Sequence, residues 1–200
     1  MKYFIVGLDF DGVLAHGLNV KKRYAKDWFG LELSLGQTKE AGFNALVRSL
    51  GRDISYRSLM DRVIEEHGME YEVPSDCIPV LKQLYDRNCR FFVITSRNQQ
   101  EYSRAMEFVC ERFSGLIKTV CHTNNQPKDV LIKRLNVEAY VDDDISKLLP
   151  LVGLPAELVY YRQPENVGQE IPDVLKPRIL EASSFVDVGR IVEGLLPKTL

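Results

Sequence analysis

Cysteine and histidine are scarce in this chain, and neither is clustered. Cys77, Cys89, Cys110 and Cys121 form no Cys-x-x-Cys pair, and His16, His67 and His122 stand far apart. A zinc site needs closer ligand spacing or more histidines, so none is expected. The cysteines read as structural thiols of a reducing cytosol. Long apolar runs are missing too. No stretch approaches the roughly 20 apolar residues of a membrane span. The apolar run near the N-terminus is interrupted by Asp9 and Asp11. That argues against a signal peptide and for a cytoplasmic location. Neither sign of charge prevails: the formal net charge is −2. Such a balance supplies no global basic field to draw the chain to nucleic acid or to an anionic membrane. Repeats and low-complexity segments are absent.

What is present is a chain of 200 residues, 45% of them apolar, enough for one domain with an insertion or for two small ones. Short apolar runs alternate with helical patterns, which predicts an α/β fold with a parallel sheet covered by helices. The strand-like runs are 3–8, 90–95, 116–121, 139–141 and 157–161. A helix is expected over 75–88, with Ile78, Leu81, Leu84 and Tyr85 on one face. Asn98 and Glu101 have capping-box spacing, opening a helix with Ala105, Met106, Val109, Cys110 and Phe113 inward and Gly115 as its stop. Pro127 at the first turn opens a helix over 128–135, and one more is expected over 185–196. Residues 16–73 break the alternation. They read as helices, one over 39–50 and one capped by Ser55, running through Leu59, Met60, Val63 and Ile64 to His67 and ended by Gly68. The expected division is a core of 1–15 and 74–200 with a small helical cap, 16–73, over the carboxyl end of the first strand, the natural place for a lid.

The first strand runs into Asp9-Phe10-Asp11-Gly12-Val13-Leu14. It would deliver Asp9 to the carboxyl end of the sheet, where open α/β sheets bind ligands. Gly12 lets the chain turn away, because glycine reaches positive φ at little cost. Asp-x-Asp-Gly also occurs in turns and in calcium loops. An EF-hand loop needs a glutamate at its twelfth position, and that position here is Val20, so the calcium reading fails. Three further features fall at strand ends or at a helix start: Thr95-Ser96, Lys128, and Asp142-Asp143-Asp144. Each has an ordinary explanation alone. Threonine suits a strand end, lysine is usually solvated, and a triple Asp can be a turn or a helix N-cap. Yet a lysine near a helix N-terminus is unfavourable by roughly 0.3–1 kcal/mol, and three adjacent acids repel one another unless a cation relieves them.

In this order the four features resemble the four motifs of the haloacid dehalogenase (HAD) superfamily of phosphatases and phosphotransferases. The resemblance covers residues 3 to about 162, including a cap-sized insertion after the first motif. It implies a Rossmann-like sheet of order 5-4-1-2-3 and a Mg²⁺-dependent phosphomonoesterase acting on a small phosphorylated metabolite. A phosphate dianion repels carboxylates, and Mg²⁺ suits carboxylate, carbonyl and water oxygens. By this resemblance Asp9 is the nucleophile that forms an aspartyl phosphate, and Asp11 is the general acid and base. Thr95, Ser96 and Gly12 bind the phosphoryl group, and Lys128 neutralises charge on Asp9 and on that group. Asp9, Asp142, Asp143 and the backbone carbonyl of Asp11 are the expected metal ligands.

The chain departs from the family pattern in places. Asp11 separates it from the dehalogenase and phosphonatase branches, which lack that second acid. Three consecutive acids stand where two acids or Gly-Asp are common, so the division of labour among Asp142, Asp143 and Asp144 stays open. Lys128 follows Pro127, whereas many relatives have Lys-Pro; Lys133, more than a turn into the helix, is the weaker alternative. In the cap, Lys21, Lys22, Arg23 and Lys26 adjoin Trp28 and Phe29. They could meet a second anionic group or a stacked base, or simply form a solvated amphipathic face. The opening motif also resembles that of 5′(3′)-deoxyribonucleotidases, sugar phosphatases and β-phosphoglucomutase. Transfer of the phosphoryl group to a sugar hydroxyl, and a non-catalytic binding protein that keeps the motifs, remain the rival readings. The partner expected is a small substrate, with neither membrane nor nucleic acid, on a monomer or homodimer.

Overall fold

The computed structural model describes residues 2–113, 115–124, 126–166 and 168–197. Six parallel strands form one sheet: β1 (Phe4–Leu8), β2 (Cys89–Thr95), β3 (Ile117–His122), β4 (Ala139–Asp142), β5 (Glu157–Tyr161) and β6 (Ile179–Ala182), in the order β3-β2-β1-β4-β5-β6. The expected five-strand order is present, extended by β6 at one edge. Sequence reading missed β6 because Leu180 and Glu181 are exposed and only Ala182 is buried, so no apolar run marks it.

Alternate residues of the central strands feed two apolar clusters, one per face, as the two-residue period of a strand requires. Val6, Leu8, Val93, Val141 and Val159 join the larger cluster with Leu81, Phe108, Phe185 and Val188. Those residues come from α4 (Cys77–Asp86), α5 (Gln99–Phe113) and α8 (Phe185–Leu195). Ile94, Tyr140, Leu158 and Tyr160 face Ile132 and Leu148, supplied by α6 (Asp129–Arg134) and α7 (Ile145–Leu148). Residues 198–200, assigned to the core by sequence, lie outside the described residues.

The segment 16–73 contains α1 (Leu18–Phe29), α2 (Glu40–Ser49) and α3 (Tyr56–His67). Val20, Phe43, Leu59 and Val63 belong to the same cluster as Phe10, Val13 and Leu14 just after β1. The helices therefore rest on the sheet-end apolar layer. Backbone bonds between His16 and Glu72, at 2.8 and 3.1 Å, tie together the two chain passages at the base of the segment.

Several local expectations need correction. Cys110 is exposed, and Phe108 takes the inward place on α5. Tyr85 lies outside, where the Arg90 guanidinium stacks on its ring at 4.0 Å. α3 does end at His67 with Gly68 as its C-cap, but the φ of −60° there is right-handed, so the chain goes on into a 3-10 turn, Gly68–Glu70. Pro127 precedes α6 rather than sitting in its first turn, because Lys128 is the N-cap. The capping box at Asn98 is formed: its Oδ1 accepts from the Glu101 N–H at 3.0 Å, and Glu101 Oε2 accepts from the Asn98 N–H at 3.0 Å.

Gly7, in the middle of β1, has no room for a side chain. A Cβ there would lie 2.8 Å from Tyr140 Cδ2 and 3.2 Å from Val137 Cγ1. Overpacking of this kind costs about 1–3 kcal/mol. Gly7→Val is expected to lower the unfolding free energy by about that much, read as a lower urea midpoint; an unchanged midpoint contradicts this packing.

Candidate active site

β1 and β4 are neighbours, with Leu8 opposite Val141. From β1 the chain builds outward through β2 and β3 and then returns to add β4 on the other side of β1. This makes the carboxyl ends of β1 and β4 a topological switch point and opens a crevice there. Asp9, immediately after β1, therefore lies level with Asp142 at the end of β4. Its N–H donates to the Val141 carbonyl at 2.8 Å.

Lys128 joins the two acids. Its ammonium donates to Asp9 Oδ1 and to Asp142 Oδ2, both at 2.8 Å, and its side chain is 3% exposed. Asp142 is fully buried and accepts two more bonds: the Tyr140 hydroxyl on Oδ2 at 2.8 Å and the Asp144 N–H on Oδ1 at 3.0 Å. Asp143 accepts from Lys39 Nζ on Oδ2 at 2.8 Å, and Asn166 Nδ2 donates to its backbone carbonyl at 2.5 Å. Carboxylate oxygens of Asp9, Asp142 and Asp143 lie within 4.8 Å of one another. Asp144 is not part of this group: its Oδ1 accepts the Ser146 N–H at 2.8 Å and caps α7.

Burial raises the proton affinity of Asp9 well above the usual carboxylate range; Lys128 opposes this, and Asp142 and Asp143 add to it. Asp143 is raised for the same first reason, against the pull of Lys39. Lys128 is pushed up despite its burial, because Asp142 and Asp9 hold its charge. Tyr140 is raised well above its ordinary range, first by burial and then by Asp142 and Asp9. It therefore stays a phenol donor beside the acids.

Asp11 is held differently. Arg97 Nε donates to Oδ2 and Nη2 to Oδ1, both at 2.9 Å, in a two-pronged pair. Burial alone would raise this carboxyl, but the Arg97 charge and hydrogen bonds outweigh it and lower it. The guanidinium stacks over Phe10, 4.6 Å from its centroid, and the Arg97 N–H donates to Thr95 Oγ1 at 3.2 Å. The Asp11 carboxylate thus lies apart from the acid cluster. Gly12 has φ +82°, and a Cβ on it would come 2.4 Å from the Asp143 carboxyl carbon; only glycine lets the acid rest there.

Asp9, Asp11, Gly12, Thr95, Ser96, Lys128 and Asp143 line one cavity of about 320 Å³. Asp142 sits behind it. Lys133 is not at the site; it pairs with Asp129 one turn away at 3.1 Å. Of the basic cluster in α1, only Lys21 reaches the cavity. Arg23 pairs with Glu70, Lys26 pairs with Glu32 at 2.8 Å, and Trp28 stacks under Arg62 at 3.9 Å. The amphipathic-face reading therefore describes that cluster apart from Lys21. Sequence reasoning missed Arg97, Lys39 and Asn166. Arg97 carried a usable signal, a basic residue two positions beyond Thr95 at a strand end. Lys39 and Asn166 carried none.

No protein-family model matches the chain, and no curated protein matches it. Solved structures match it over nearly its whole length. An L-2-haloacid dehalogenase is 13% identical, with a TM-score of 0.67, over 96% of this chain and 100% of that one. A predicted phosphoglycolate phosphatase from Haemophilus somnus is 12% identical, with a TM-score of 0.66, over 96% and 99%. A candidate β-phosphoglucomutase from Thermotoga maritima is 16% identical, with a TM-score of 0.65, over 96% and 100%. The fold is the one these proteins share, as the four motifs implied. Among the described residues, no helix is long and apolar enough to cross a membrane.

Removing Lys128 would strand two buried carboxylates, and breaking a buried pair costs about 3–5 kcal/mol. Lys128→Met is expected to lose about that much stability at neutral pH. The loss should shrink as pH falls, because Asp9, whose proton affinity burial raises, can then be protonated. Urea unfolding at two pH values checks both statements.

Proposed function

We propose that this protein is a Mg²⁺-dependent phosphomonoesterase of the HAD superfamily, acting through an aspartyl phosphate on Asp9. The observation that carries this reading is the convergence of Asp9, Asp142 and Asp143 at the sheet's switch point, the first two bridged by Lys128. The donor set fits the metal. Three carboxylates offer hard oxygens, and burial raises the proton affinity of Asp9 and Asp143, a tension that a divalent cation relieves. Asp9, Asp142, Asp143 and the Asp11 carbonyl would hold it. When bound, it neutralises the charge that otherwise sets these acids against a phosphate dianion.

In the proposed reaction an Asp9 oxygen bonds to phosphorus as the ester P–O bond breaks. The leaving oxygen takes a proton from Asp11. Asp11 later takes one from the water that bonds to phosphorus as the Asp9 O–P bond breaks, releasing phosphate and restoring the Asp9 carboxylate. Asp11 is held ionised by Arg97 in the free protein. A phosphoryl group in the cavity draws the guanidinium toward its own oxygens, and Asp11 then gains the proton affinity that an acid needs. Thr95 and Ser96 bind phosphoryl oxygens, and Gly12 keeps the backbone close. Lys128 balances charge on Asp9 and on the transferring group. Residues 16–73 act as the cap that selects the leaving group, since Lys21, Tyr56, Met60 and Tyr71 share the cavity with Asp9. The substrate expected is a small phosphorylated metabolite.

Purified protein should release inorganic phosphate from an aryl phosphate with Mg²⁺ and lose that activity in chelator. Asp9→Asn should fall to the uncatalysed background while keeping the wild-type circular dichroism spectrum. Full activity in Asp9→Asn would remove Asp9 as the nucleophile. Substrate loss without matching phosphate release would indicate transfer instead of hydrolysis.

A further inference from the structure

Lys39 is the one ammonium from the segment 16–73 that, among the described residues, touches the acid cluster directly. We propose that it is an exchangeable counter-ion. Its charge neutralises Asp143 until a divalent cation takes its place, and the freed ammonium then serves an oxygen of the phosphoryl group. This rests on the metal-centre reading given above and adds an order to it, metal before substrate.

The two lysines at the cluster differ in kind. Lys128 is sunk between Asp9 and Asp142 and contacts both. Lys39 reaches Asp143 at a single oxygen, and its side chain is 35% exposed. Asp143 does not need Lys39 to hold its pose. Asn166 Nδ2 donates to the Asp143 carbonyl at 2.5 Å and to Oδ2 at 3.3 Å, and the carboxyl rests on the bare Cα of Gly12. What Lys39 adds is charge. A divalent cation on the same carboxylate supplies that charge and repels the ammonium, since like charges a few ångströms apart interact strongly in a partly buried site.

The charge balance gives the exchange a use. Asp9, Asp142 and Asp143 against Lys39 and Lys128 leave the cluster one unit negative, which repels a phosphate dianion. A divalent cation makes it one unit positive, and Lys39 no longer has to neutralise Asp143. Lys39 lines the same cavity as Asp9, Thr95 and Arg97, so its released ammonium stays within the space the phosphoryl group would enter.

Lysine acylation of the full chain, read by mass spectrometry with and without Mg²⁺ and no substrate, tests the exchange. Lys39 labelling should rise by about threefold or more with Mg²⁺, while Lys128 stays protected and Lys21 is unchanged. Unchanged or reduced Lys39 labelling overturns the proposal. By calorimetry, Lys39→Met should bind Mg²⁺ about tenfold tighter, and the Mg²⁺-loaded variant should bind inorganic phosphate about tenfold weaker. Lys39→Arg should restore both. Tighter Mg²⁺ binding with unchanged phosphate binding overturns the transfer of Lys39 to the phosphoryl group. A protein that gives these binding shifts but hydrolyses no phosphate ester fails the proposed function and keeps the exchange. A protein that binds no Mg²⁺, wild type and Lys39→Met alike, fails both.

Discussion

Burial of three carboxylates at the carboxyl end of the sheet is the constraint on which the rest of this structure depends. An ionised acid away from water is costly unless it is paired and hydrogen-bonded. Here Asp142 is fully buried, and it stays tolerable because Lys128, Tyr140 and the Asp144 N–H all donate to it. Those three donors dictate much around them. α6 must begin where Lys128 can turn inward. Tyr140 must lie against the face of β1, which is why Gly7 carries no side chain. Asp144 must cap α7 so that its N–H points back to the cluster.

Electrostatics in the cavity follow one rule. Three cations at the cavity already have an acid: Lys128 has Asp9 and Asp142, Arg97 has Asp11, and Lys39 has Asp143. Such pairing keeps the free protein stable, and it leaves the site close to charge balance. In the proposed reading, a divalent cation entering first and a doubly charged anion after it change all three pairs. Catalysis in this reading is a rearrangement of ion pairs that exist beforehand, which limits the reorganisation needed at the moment of reaction.

The helices of residues 16–73 belong to the same apolar cluster as the residues after β1. Two of their polar contacts with the sheet side are charged pairs, Lys39 with Asp143 and Arg57 with Glu101 at 2.9 Å. Charged contacts are the ones that a bound ion or anion can alter most. Packing holds the segment against the sheet end, and charge sets how it meets the cavity.

Strand identity, helix order and the placing of acids at strand ends were legible in the sequence, because each is written in local periodicity and in the residues that follow an apolar run. Asp9, Thr95 and Asp142 are of that kind, Lys128 was marked by a helix start, and their order carried the family resemblance. The edge strand β6 was not legible, since an exposed edge needs no apolar pattern. Helical spacing points Cys110 inward because it does not say how wide a buried stripe is; Phe108 fills that place. The charge partners lay beyond reach. Lys39 meets Asp143 across 104 positions and Arg97 meets Asp11 across 86. No local rule links residues so far apart, and a lysine or arginine looks the same in sequence whether it is solvated or buried. The sequence by itself determined which chemical groups arrive at the carboxyl end of the sheet. Only the tertiary structure decided which charge neutralises which, because Coulomb partners are chosen by proximity in space, and proximity exists only once the sheet has closed around them.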